Sequence, residues 1–170
     1  MQLQHPDHRP AIHSKKIHIV CDAVDSPANC GSIFRLAEAF GVYEIIFCHT
    51  TPDLSSNRLK RTARHTLGKV RFRESATTTN TLKDLKKSGY TLVALEITAS
   101  SISLTSVDKQ DLKKVAIVIG NERDGIRDEV LNACDLSVHI PMYGANSSLN
   151  VAQALGIALY EVTREQNKYL

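Results

Sequence analysis

From Lys16 onward the chain alternates short apolar runs with amphipathic stretches of helix length. The runs are Ile17 to Cys21, Glu44 to Cys48, Val70 to Arg73, Thr91 to Ile97, Val115 to Ile119 and Leu136 to Ile140, each bounded by polar residues as strands are. Between them, helical spacing predicts helices over Gly31 to Phe40, Leu54 to His65, Thr81 to Ser88, Arg127 to Ala133 and Ser148 to Gln166. Gly41, Gly68 and Gly89 stand where helix C-caps belong, and Thr77 to Thr79 reads as a loop leading into the third helix. Such alternation predicts an α/β fold, a parallel sheet with helices on both faces. No repeat or low-complexity tract intervenes, so residues 16–170 read as one domain behind a short flexible arm over residues 1–15.

Composition narrows this picture only slightly. A chain of 170 residues can bury a core without a disulfide or metal staple. The formal charge of +3 and pI near 8.7 permit a nucleic-acid partner without arguing for one. Cys21, Cys30, Cys48 and Cys134 form no C-x-x-C pair and no regular spacing, so no metal and no disulfide framework is expected. A reducing cytoplasm is the expected compartment. The arm holds three His, two Pro and no apolar run, and is read as neither a signal peptide nor a membrane anchor.

Three polar clusters follow apolar runs: Asn29-Cys30-Gly31 with Arg35, Gly120-Asn121-Glu122, and Ile140-Pro141-Met142 followed by Ser147-Ser148-Leu149-Asn150. Ligand sites of open α/β sheets lie at the carboxyl ends of the strands, so these clusters are expected to converge on one crevice. Known phosphate and nucleophile motifs do not account for them. Gly120 and Gly125 have Walker A spacing, but Ile126-Arg127 follows where Lys and Ser/Thr are needed, and no G-x-G-x-x-G exists. G-x-S-x-G and H-E-x-x-H are missing as well.

The ordered set Asn29-x-Gly31 with Arg35, Ile119-Gly120-Asn121-Glu122-Arg123-x-Gly125-Ile126, and Ile140-Pro141-Met142 through Ser148-Leu149-Asn150-Val151 to Leu159-Tyr160-Glu161 resembles motifs one to three of the SpoU (TrmH-like) branch of the SPOUT methyltransferases. The resemblance spans about Ile17 to Glu165. It implies transfer of a methyl group from S-adenosyl-L-methionine (AdoMet) to a ribose 2′-hydroxyl of RNA, tRNA being favoured over rRNA. It further implies a C-terminal trefoil knot, which general rules of chain connection would not suggest. The candidate catalytic residues are Arg35, Asn29, Glu122, Ser148 and Asn150. The AdoMet pocket is expected at Leu95, Glu96, Gly120, Ile140, Met142, Ser148 and Leu149, largely through backbone groups. Arg35 matches a residue proposed in the family to help deprotonate the hydroxyl. Guanidinium holds its proton too firmly for that, so a phosphate clamp is the expected role. Glu122 is expected to orient Arg35 or accept a helix N–H, and Ser147 and Ser148 to cap the last helix. Plain capping by Asn29, snorkelling by Arg35 and solvation of Glu122 stay open as alternatives.

Arg58, Lys60, Arg61, Arg64, His65, Lys69, Arg71 and Arg73 fall within sixteen positions that contain no acid. All but His65 are candidate RNA-binding residues, with Lys69, Arg71 and Arg73 alternating along one side of a strand. Cys30 has no His near it in sequence and is read as buried filler. The wide apolar stripe of the last helix, together with family habit, implies a homodimer through that helix. Because the chain stops soon after motif three, an accessory protein for substrate recognition is also considered. Competing readings are a noncatalytic knotted RNA-binding or assembly factor, a SPOUT enzyme that methylates a base, and an unrelated flavodoxin-like nucleotide binder.

Overall fold

Seven strands form one sheet in the computed structural model, which describes residues 12–108, 112–145 and 148–164. They are β1 (Lys16–Asp22), β2 (Glu44–Cys48), β3 (Phe72–Ser75), β4 (Thr91–Leu95), β5 (Ile102–Ser103), β6 (Lys114–Ile119) and β7 (Leu136–His139). The helices are α1 (Pro27–Ala39), α2 (Asn57–Ala63), α3 (Thr78–Lys87), α4 (Asp128–Leu131) and α5 (Val151–Thr163). Strand order is β3-β2-β1-β6-β4-β7-β5, and every pairing is parallel. The α/β expectation therefore holds.

The apolar runs are continuous because both faces of the sheet are covered. Ile17, Ile19 and Cys21 of β1 join Val115, Ile117 and Ile119 of β6 under α1, α2 and α5. The residues between them, Val20, Ala116 and Val118, pack on the other side with Leu82 and Leu85 of α3 and Val130 of α4. Phe34, Phe47 and Phe72 interlock at centroid separations of 5.2 to 6.3 Å, joining α1 to β2 and β3.

Element ends depart from the sequence reading in ways local chemistry explains. Pro27 opens α1 after the N-cap residue Ser26, four residues earlier than expected, since proline needs no N–H donor there. Thr77 precedes α3, so Thr78 and Thr79 belong to its first turn rather than to a loop. The α2 helix is shorter than Leu54 to His65 because Asp53 and Ser55 form a side-chain turn before Ser56 caps Leu59 N–H. Arg64, at φ +54°, terminates it, so Gly68 caps nothing, whereas Gly41 and Gly89 do adopt positive φ after α1 and α3. Residues 66–69 form a turn in which Lys69 N–H donates to Thr66 O, which delays β3 to Phe72. Only Arg73 of the three alternating cations thus lies in a strand.

Helix α4 is one short turn, and α5 starts at Val151 with Asn150 as its cap, which corrects the capping role expected of Ser148. Ser147 and residues 165–170 lie outside the described residues. So do residues 1–11 of the arm; of its remainder, His13 Nε2 donates to Phe40 O at 2.8 Å.

Candidate functional site

Loops at the carboxyl ends of β4, β6 and β7 enclose a cavity of about 500 Å³. Its walls include Leu95, Glu96, Gly120, Ile140, Met142, Ser148 and Leu149, together with Glu122, Asn150 and His139. All seven positions expected for the cofactor are brought together there. A cavity of this size, with a few polar groups among apolar walls, suits a small organic ligand. Among the described residues no cluster of His, Cys, Asp and Glu is placed to hold a metal ion.

One chain of hydrogen bonds joins the three motif loops. Asn150 Nδ2 donates to Asn29 Oδ1 at 3.0 Å, and Asn29 Nδ2 donates to Glu122 Oε1 at 2.6 Å. Asn150 Oδ1 meanwhile accepts from Ala152 and Gln153 N–H at 3.0 and 3.3 Å, so its carboxamide is engaged on both sides. Glu122 thus holds Asn29 rather than Arg35, which corrects one role expected of it. Glu122 Oε2 and the Ser148 hydroxyl have no hydrogen-bond partner among the described residues.

The loop carrying Glu122 is itself held closely. Asn121 and Gly125 exchange two backbone hydrogen bonds of 3.0 and 3.1 Å, and Asn121 Nδ2 donates to Ala23 O at 2.8 Å. A Cβ on Gly120 would lie 2.2 Å from the Gly125 carbonyl carbon, so only glycine permits this closure. Glu96 contributes its side chain, which backbone-based expectation overlooked. Its two oxygens accept from Ile97 and Ile126 N–H at 3.0 and 3.1 Å, tying the β4 end to the loop after β6.

Behind this loop lies an ion pair the sequence reading did not find. Arg127 donates to Asp22 through Nε and a terminal nitrogen at 3.2 and 2.6 Å, Thr78 Oγ1 donates to Asp22 Oδ1 at 2.6 Å, and His49 Nε2 contacts the same guanidinium. Burial pushes the Asp22 carboxyl up, but the bonds from Arg127 and Thr78 outweigh it and leave it below the ordinary aspartate value. A charged residue closing an otherwise apolar strand was the signal available. Cys30 is buried, and burial, assisted by the Glu122 carboxylate, pushes its thiol up to about 12, which leaves it unreactive.

Arg35 lies outside the cavity, in an open groove of about 1040 Å³ between α1, α2 and α5. Arg61 and Arg64 line the same groove, and Leu149 and Asn150 line both groove and cavity. Arg35 makes no hydrogen bond or ion pair among the described residues. The other basic candidates divide. Arg58 and Lys60 are exposed on α2. Lys69 lies 3.9 Å from Glu38 and Arg73 3.2 Å from Glu44, acids that the sequence stretch itself does not contain. Arg71 rests against Tyr43.

A cavity at the strand ends, roofed by interlocked polar loops and opening beside a basic groove, defines a ligand-binding α/β domain of the enzyme type. The chain belongs to the SpoU rRNA methylase family, whose model matches residues 16–160. It is 32% identical over 154 residues to a 23S rRNA (guanosine-2′-O-)-methyltransferase of Nitrosomonas europaea, covering 88% of this chain and 56% of that one. An AdoMet-bound rRNA methyltransferase from Sinorhizobium meliloti superposes with a TM-score of 0.79 at 29% identity, over 89% of this chain and 57% of that one. A structure described by "2-OH methylation of C/U34 on tRNA" gives 0.77 at 28% identity, over 88% of this chain and 95% of that one. The chain spans little more than half the length of the curated rRNA relatives it matches.

Proposed function

We propose that this chain transfers a methyl group from AdoMet to a ribose 2′-hydroxyl of RNA. The observation that carries the reading is the Asn150–Asn29–Glu122 chain, which draws all three motif loops to one cavity beside a basic groove. The cavity fits the cofactor in size, and the close approach at Gly120 leaves backbone groups rather than side chains along one wall. Leu95, Glu96, Gly120, Ile140, Met142, Ser148 and Leu149 would hold AdoMet, which supplies a methyl on sulfonium and so requires neither a metal nor a covalent intermediate.

The protein's task is then to position the nucleophile and receive its proton. Arg35, exposed in the groove and without an ion-pair partner among the described residues, clamps a phosphate and so orients the adjoining ribose. Asn29 holds Glu122 by one oxygen, leaving Oε2 to accept the proton that the ribose hydroxyl would give up on taking the methyl group from bound AdoMet. Arg61 and Arg64 extend the phosphate track. The likeness along 95% of a chain described with C/U34 of tRNA favours tRNA over rRNA. The C-terminal knot and a homodimer through α5 belong to the same proposal.

The test is transfer of labelled methyl from AdoMet to undermodified tRNA and, separately, to rRNA, by wild type and Arg35→Ala, with the product nucleoside identified. A labelled 2′-O-methyl nucleoside that disappears in the variant is expected. Label in a base would overturn the ribose assignment, and no AdoMet binding would overturn the whole reading.

A further inference from the structure

The amino-terminal edge of the sheet, opposite the cavity, carries a second organised cluster. His18 of β1 is buried and stacks between two tyrosines, with ring centroids 5.3 Å from Tyr43 and 4.6 Å from Tyr90. Three cations lie on these rings. Lys16 Nζ is 3.9 Å from the Tyr43 centroid, the Arg71 guanidinium is 5.4 Å from it, and Lys114 Nζ is 5.7 Å from that of Tyr90. Arg71 also donates to the Tyr43 hydroxyl at 3.3 Å, and Lys114 to Ser88 O at 3.1 Å.

None of the three has a carboxylate partner among the described residues; the nearby Glu44 is engaged by Arg73. Lys16 and Lys114 are moreover direct neighbours in the β1–β6 register, a placement in which like charges repel. Cation–π contact offsets part of that cost and holds the ammonium groups in place. The fold gains no ion pair from the arrangement, while a polyanion would gain three fixed charges.

We propose that this edge is a second RNA-contact surface, in which Lys16, Arg71 and Lys114, seated on the Tyr43–His18–Tyr90 stack, take backbone phosphates of the RNA substrate. It rests on the reading of RNA as substrate. The contact is with phosphate and not with a base: Tyr43 has His18 against one face and a lysine over its ring, and Tyr90 is buried, so neither offers a free platform for stacking. The length of β1 from Lys16 to Asp22 separates this edge from the cavity side, about 20 Å at strand rise, so the RNA must follow the flank of the domain. Arg71 belongs to the basic segment that also places Arg61 and Arg64 in the groove, which gives the flank a continuous origin.

The experiment is a salt titration of binding to undermodified tRNA by wild type, by the triple variant Lys16→Gln, Arg71→Gln, Lys114→Gln, and by the charge-retaining double variant Lys16→Arg, Lys114→Arg, with AdoMet affinity measured in parallel. The triple variant is expected to bind RNA at least tenfold more weakly, with a log–log salt slope shallower by about 2 to 3, and to keep wild-type AdoMet affinity. The double variant is expected to match wild type. Equal RNA affinity and slope in wild type and triple variant would overturn the surface while leaving the function intact, and so would equal loss in the charge-retaining variant. If wild type binds AdoMet but no RNA, the functional reading fails and this surface fails with it.

Discussion

The carboxamide of Asn150 accepts from the backbone of Ala152 and Gln153 and donates to Asn29, so substitution can separate its two roles. Asn150→Asp keeps an accepting oxygen for the helix end but has no N–H for Asn29. Stability within a few tenths of a kcal/mol of wild type is expected, with methyl transfer reduced by one to two orders of magnitude as Asn29 and Glu122 lose their alignment. Asn150→Ala removes both functions and should cost about 1 kcal/mol more in urea unfolding. Equal activity in Asn150→Asp and wild type would remove the chain of hydrogen bonds from the mechanism. A second residue-scale effect comes from His18, whose pKa burial, with help from Lys16, lowers from 6.5 to about 4 despite Glu44. The folded state resists protonation that the unfolded state accepts. The associated stability is therefore complete above pH 6.5 and is lost as pH falls from there towards 4, by about 2 to 3 kcal/mol. His18→Phe keeps the stack and removes the proton, so its unfolding free energy should fall less than that of wild type between pH 7 and pH 4.5.

At the scale of elements, the approach of α1 to α2 is set by Gly31. A Cβ there would lie 2.0 Å from Thr62 Oγ1 and 2.4 Å from Leu59 O, and the second contact is backbone that cannot rotate away. Gly31→Ala should therefore destabilise by about 2 to 4 kcal/mol in chemical unfolding, and adding Thr62→Ala should restore little of it. The same glycine shows what the sequence could convey. Strands β1, β2 and β6 were legible to within a residue or so because burial on both faces makes their runs almost wholly apolar, His18 of β1 being the exception. Two-residue β5, with Ile102 exposed, offers no such run and was missed. Gly68 was mistaken for a cap because Arg64 itself takes the positive φ that ends α2, which composition does not foretell. Cavity residues were found through motif likeness, whereas Asp22 and Arg127, 105 positions apart, meet only once β1 and the loop after β6 are adjacent.

At the scale of the whole molecule, α5 has more apolar surface than one sheet can cover. Leu155, Ala158, Leu159 and Val162 face inward and are buried, while Ile157 and Tyr160 remain 43% and 61% exposed along the groove shared with Arg35. Gly156 lets α1 approach closely, with Leu36 lying 3.2 Å from where its Cβ would be, so the two helices present one shared outer face. On the proposed homodimer, apolar side chains on such a face, rimmed by Arg35, Arg61 and Arg64, would meet a second copy of this chain at the centre and RNA at the margin. Light scattering at micromolar concentration should accordingly give a mass near twice 18.8 kDa. Tyr160→Glu places a charge in the centre of the contact and should yield a folded monomer that keeps AdoMet affinity but loses RNA methylation, because the phosphate track would then end at a single subunit. A wild-type mass of one chain would remove the dimer from the model. A monomeric Tyr160→Glu variant with full methylation would instead show that one subunit holds a complete site.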